Sequence, residues 1–90
     1  MDIRKLFGRN LRHYRLAAAL SQEAVAERMG VDRAHVSSME RGQQNVTLLT
    51  IWQAAQALGR KPGEFLSEDA AVASESEMMV KAPRRRRTKP

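Results

Sequence analysis

Ninety residues, 42% hydrophobic and 29% charged, suffice for one small globular domain with some chain to spare, and leave little room for a second core. With no cysteine, neither a disulfide nor a zinc-thiolate centre can staple the fold, and one Trp, one Tyr and two Phe leave the interior to Leu, Val, Ile, Met and Ala. The net charge of +6 is unevenly placed: residues 1–66 carry ten Lys/Arg against six Asp/Glu, residues 67–80 four acids and no base, residues 81–90 six bases and no acid.

A basic body and a basic end separated by an acidic spacer point to a polyanionic partner, nucleic acid ahead of an anionic membrane surface. No apolar run approaches the ~20 residues that span a bilayer, and MDIRKLFGRN lacks the apolar stretch of a signal peptide, so a cytoplasmic, nucleoid-associated protein is expected. Ile3, Phe7, Leu11, Tyr14 and Ala18 recur at steps of three and four and predict a first helix over 3–18, capped by Asp2. Arg4, Lys5, Arg9 and Arg12 fall largely off that stripe and read as a solvated face. Ser21 is an N-cap for QEAVAERM, whose Val25, Ala26 and Met29 face inward; Ala24 stands where a capping box needs Glu, so only half of that motif is present. Gly30 can turn left-handed and end the helix, with Val31 packing beneath the turn.

Asp32 is expected to cap a third helix over 33–41, with Val36 and Met39 inward and Gly42 as the stop. After QQNV, Thr47 caps LLTIWQAAQAL, in which Leu48, Ile51, Ala55 and Leu58 keep helical spacing up to Gly59. Pro62 opens a short PGEFL helix, with Phe65 and Leu66 placed to close the core. The domain is therefore drawn at 1–66. Beyond it, SEDAAVASESEMMVKAPRRRRTKP has no sustained periodicity and reads as a flexible tail, an acidic spacer over 67–80 and a basic end over 81–90, with a helical turn at most near 77–81.

Two short helices joined through a glycine turn form a helix-turn-helix, in which the first helix braces the second for the major groove of DNA. The elbow needs a small side chain, and Ala26 supplies it. With Val36 and Met39 inward, Arg33, Ala34, Ser37, Ser38 and Arg41 occupy the outward side of the third helix. Arg33, in its first turn, can donate two hydrogen bonds to guanine O6 and N7; Ala34 suits a thymine methyl; Ser37 and Ser38 can bond a base or a phosphate.

FGRNLRHYR, SQEAVAERMGV, VSSMERG, the Asn-containing loop, LLTIWQAAQAL and the closing EFL together resemble the lambda-repressor and Cro-like (XRE) helix-turn-helix family, from about Phe7 to Leu66. The resemblance implies an all-α, compact five-helix repressor-like DNA-binding domain. It also implies that Arg15 and Glu40 form a buried or partly buried structural ion pair, that Gln22 binds phosphate, and that Arg41, Gln43, Gln44 and Asn45 contact the DNA backbone; the alternatives are that Gln22 only completes its cap and that Asn45 simply fixes the loop. Ala19 stands where the family usually has Gly, and Ala54 where it has a larger aliphatic residue.

His35 is placed equally for phosphate or for solvent, and His13 has no evident role. The arginine run at 84–87 suits either the minor groove or non-specific attraction, or is a solvated tail. Trp52, Phe65 and Leu66 suit either a dimer interface or the core. The sequence thus points to a sequence-specific transcriptional regulator that binds double-stranded DNA at a pseudo-palindromic operator as a homodimer. The alternative is an antitoxin or adaptor that grips a protein partner through residues 67–90, where Met78 and Met79 offer a short apolar face. No metal or cofactor is expected, and no nucleophile, general base or phosphate-cradling loop marks an enzyme.

Overall fold

The computed structural model describes residues 2–68. Four α-helices follow in order, α1 (Ile3–Ala17), α2 (Gln22–Met29), α3 (Arg33–Glu40) and α4 (Leu48–Leu58), closed by a 3-10 helix at Pro62–Leu66. Among the described residues there is no strand, and the five pieces form a compact all-α bundle around a helix-turn-helix. None of these helices is long and apolar enough to cross a membrane. Apart from Ser67 and Glu68, the acidic spacer, the turn expected near 77–81 and the basic end lie outside the described residues.

Polar caps start most of the helices. Asp2 accepts from the Arg4 backbone N–H at 2.8 Å and from Arg4 Nη2 at 2.8 Å. The side-chain and then the backbone hydrogen bonds from Arg4 hold its carboxyl at about 2, so the cap stays ionised at neutral pH and is lost only as pH falls through that value. Ser21 Oγ accepts from Ala24 N at 3.0 Å and Thr47 Oγ1 from Thr50 N at 3.1 Å. Asp32 sits at the N-cap of α3 but its side chain accepts no capping bond; the backbone carbonyl of Asp32 receives His35 N and Val36 N instead, at 3.0 and 3.2 Å. Gly30, at φ +76°, ends α2, with Val31 N returning to Ala26 O at 2.9 Å, the bond pattern of a left-handed helix stop.

Buried Leu11, Val25, Val36, Met39 and Ala54 form the centre of the core, with Ala26 filling the elbow. Phe65 closes it, its ring 5.3 Å from Tyr14 and 5.9 Å from Phe7. The stripe on α1 runs shorter than its periodicity suggests. Ile3 and Ala18 are exposed, because its two ends reach past the neighbours that cover Phe7, Leu11 and Tyr14. Leu48 also faces solvent, at 86% exposure, since it lies in the first turn of α4 and turns aside from buried Ile51, Ala54 and Ala55. Leu66 is exposed too, leaving Phe65 alone as the plug.

Ala19 adopts φ +58°, the one non-glycine residue in a left-handed conformation among those described. Its Cβ costs about 1 kcal/mol there, while glycine would add entropy to the unfolded chain. Ala19→Gly should therefore raise stability by up to about 1 kcal/mol, read as a higher urea midpoint at unchanged slope.

Candidate nucleic-acid interface

α3 is only eight residues long and rich in Ser, His and Val, a sequence with little helical preference of its own. Tertiary contacts hold it. A Cβ on Gly8 of α1 would fall 2.4 Å from Met39 O and 2.7 Å from Glu40 O, so the two backbones meet directly at the end of α3. Just beyond, Gly42 at φ +75° has Lys5 of α1 against it, 2.6 Å from where a Cβ would stand. Val36 and Met39 fill the space beneath.

An ionic clasp completes the attachment. Arg15 Nε donates to Glu40 Oε2 at 2.5 Å and Nη2 to Oε1 at 3.0 Å, a two-pronged pairing, while Nη1 donates to Leu20 O at 3.0 Å. The side chains are 11% and 4% exposed. Gln22 Nε2 adds a third donor to Glu40, at 3.0 Å from Oε1. The acid nearest the C-terminus of α3 is thus spent inside the fold.

The opposite side of α3 is rich in donors. Exposed Arg33 opens the helix, followed by exposed Ala34. Ser37 Oγ accepts from the Arg41 guanidinium, and Ser38 Oγ accepts from Gln44 Nε2 at 2.9 Å. A hydroxyl that accepts in this way keeps its own hydrogen to give, and both serines are half-buried on α3. Arg41 Nε also donates to Gln43 Oε1 at 3.3 Å, and Asn45 is exposed in the same loop. The structure thus gathers Arg33, Ala34, Ser37, Ser38, Arg41, Gln43, Gln44 and Asn45 along α3 and the turn after it, with Gln22 half-buried at the start of α2. His35 is half-buried at the side, and His13 lies edge-on to Tyr14 with ring centres 4.9 Å apart. Among the described residues, no group of His, Cys, Asp or Glu is arranged to hold a metal ion.

Gly8 and Asn10 escaped the sequence reading. A glycine inside a helical pattern costs about 1 kcal/mol against alanine, and that cost was the available signal that another backbone comes close. Asn10 is fully buried, with Nδ2 donating to Phe65 O at 2.8 Å and Ser67 O at 3.0 Å, which stitches the end of the domain to α1. A polar residue beside a Phe–Leu stripe carries no sign of that distant partner.

A short helix braced through a glycine turn, with its acid buried and its outer side offering cations and hydroxyls, defines a helix-turn-helix DNA-binding protein. A helix-turn-helix family model, HTH_3, matches residues 11–65, and the chain belongs to that family of transcriptional regulators, which is not an enzyme fold. It is 46% identical over 59 residues to an uncharacterized HTH-type transcriptional regulator, y4dJ, of Sinorhizobium fredii, covering 66% of this chain and 77% of that one. The control protein C.SmaI of Serratia marcescens is 40% identical over 67 residues, with 74% and 80% covered. Among solved structures, the restriction-modification controller protein C.AhdI of Aeromonas hydrophila superposes with a TM-score of 0.67 at 45% identity, covering 69% of this chain and 94% of that one.

Proposed function

We propose that the protein is a sequence-specific regulator of the lambda-repressor and Cro-like (XRE) kind, reading a pseudo-palindromic operator in double-stranded DNA as a homodimer. The observation that carries this reading is the division of charge on α3. Its glutamate is neutralised inside the fold while Arg33 and Arg41 stand exposed on its outer side, a surface suited to phosphates and base edges. In this reading Arg33 makes the two-pronged guanine contact, Ala34 meets a thymine methyl, and the serines donate to bases or phosphates. Arg41, Gln43, Gln44 and Asn45 follow the DNA backbone, and the backbone N–H of Gln22 at the start of α2 meets a phosphate of the same site. Kinship with controller proteins makes a restriction-modification gene set one setting for such a regulator. The domain boundary at residue 66 and the role of the tail belong to the same proposal.

Selection from random duplexes is the direct test. Wild type should yield a motif with two-fold symmetry, and Arg33→Ala should relax it at one base pair per half-site, a loss of about 1–3 kcal/mol in discrimination. A motif identical in the two proteins would remove Arg33 from base reading.

For the dimer, Leu49 at 63% and Trp52 at 53% exposure line up with Leu48 as one apolar stripe along α4. A two-fold pairing presents the same stripe from each protomer, so each large side chain gains a cover without any other partner. Leu49→Glu should leave the fold intact and yield a monomer in sedimentation, with operator binding shifted to higher protein concentration. A dimer that persists at micromolar concentration in this variant would move the interface elsewhere.

A further inference from the structure

α4 carries the exposed stripe of Leu48, Leu49 and Trp52, and α3 carries the residues proposed to meet DNA. Both helices pack on α2, which therefore joins the stripe to the DNA-facing side. The inner side of α4 is smooth. Apart from Ile51 it consists of buried Ala54, Ala55 and Ala57, and single methyls offer no deep ridges to lock one helix against turning on another. A polar tie crosses that boundary instead. Arg28, in the last turn of α2, donates from Nη1 to Ala57 O at 2.9 Å. Ala57 lies in the last turn of α4, where carbonyls lack partners within the helix and the helix dipole favours a cation. α4 has no basic residue of its own there, so α2 supplies one.

We infer that Arg28 is a positioning residue for operator spacing: its bond to Ala57 O fixes the angle of α4 on the helix-turn-helix, and with it the separation of the two half-sites. The inference rests on the reading of the protein as a homodimer paired through the α4 stripe. With the two α4 helices paired, any turn of α4 on α2 displaces α3 from the two-fold axis, and the second protomer repeats the displacement. The tie is well placed to resist that turn. It grips α4 about 8–14 Å along the axis from Trp52 and Leu48, so the stripe and the tie hold the helix toward opposite ends. A charged donor also makes the bond stronger than a neutral one would. One base pair added to the spacer moves a half-site by ~3.4 Å along the duplex and by roughly a tenth of a turn around it, which a stiff pair of recognition helices cannot follow. A pair whose α4 swings on α2 can.

The test uses the operator obtained by selection, versions with one base pair inserted into or removed from its spacer, and a single half-site, all at one salt concentration. Wild type should prefer the selected spacing. Arg28→Met keeps an apolar stem and removes the donor; it should lower that preference by about 5-fold, the order of one net hydrogen bond, with half-site affinity and base motif unchanged. Arg28 is exposed, so the variant should fold, and Arg28→Lys should recover part of the preference by restoring a charged donor. In the Leu49→Glu monomer, where no spacing is read, Arg28→Met should change nothing. An Arg28→Met protein that keeps the full spacing preference, or that weakens on every duplex by the same factor, the half-site included, would overturn the inference and leave the homodimer reading standing. A wild-type protein indifferent to spacing would instead remove the homodimer reading, and the inference with it.

Discussion

Glu40→Ala is expected to cost the folded domain about 3–5 kcal/mol, because it strips the partner from a guanidinium that has little access to water. Arg15 has only 11% of its side chain exposed and makes two of its three hydrogen bonds to this carboxylate, so the variant leaves a buried cation with one backbone carbonyl for company. For a domain of this size each kcal/mol moves the melting midpoint by ~4–8 °C, which places the fall at no less than ~12 °C by circular dichroism. Arg15→Ala should be comparably harmful, since the abandoned group is then a carboxylate that retains only Gln22 Nε2 at 3.0 Å. Replacing both with Met and Leu should recover most of the loss, because paired charges in a low-dielectric interior are costly to desolvate and apolar side chains of similar volume are not. A loss under about 1 kcal/mol for either single variant would mean that the pair behaves like an exposed one, in which solvent screens most of the attraction.

Gly8→Ala carries the second large effect, and its sign is the informative part. In an open helix this change stabilises by about 1 kcal/mol through backbone entropy. Here the new methyl would meet two backbone oxygens at 2.4 and 2.7 Å, and backbone cannot rotate aside as a side-chain tip can. α1 and α3 must separate, which loosens Met39 and lengthens the Arg15–Glu40 bonds. Overpacking of this kind costs about 1–3 kcal/mol. The expected result is a lower urea midpoint together with weaker operator binding in protein that remains folded, since the end of α3 moves as a unit with the turn that follows it. A Gly8→Ala protein more stable than wild type would show that the two helices can part without consequence.

Much of the fold is legible in the sequence because its signals are local. Ser21, Gly30, Thr47 and Gly59 delimit α2 and α4 by their own chemistry, needing no knowledge of the partner helices. Arg33, Ala34, Ser37 and Ser38 follow from the periodicity of Val36 and Met39, which decides the outer side before any coordinate is known. Asp32 shows the limit of such reading: its position as a cap is right, yet the backbone carbonyl serves in place of the side chain. Leu48 and Leu66 show another, for an apolar residue at helical spacing says that a surface is sticky and leaves open whether this core or another chain covers it. Gly8 and Asn10 were hidden for a third reason. Their partners, Met39, Glu40 and Phe65, are distant in the chain, and a single residue type cannot announce a close approach from so far away.

The division of α3 into a side that builds the molecule and a side that faces outward makes recognition exchangeable. Ala34 is exposed and absent from the core, so in the proposed reading a substitution at this position changes the operator while the scaffold stays the same.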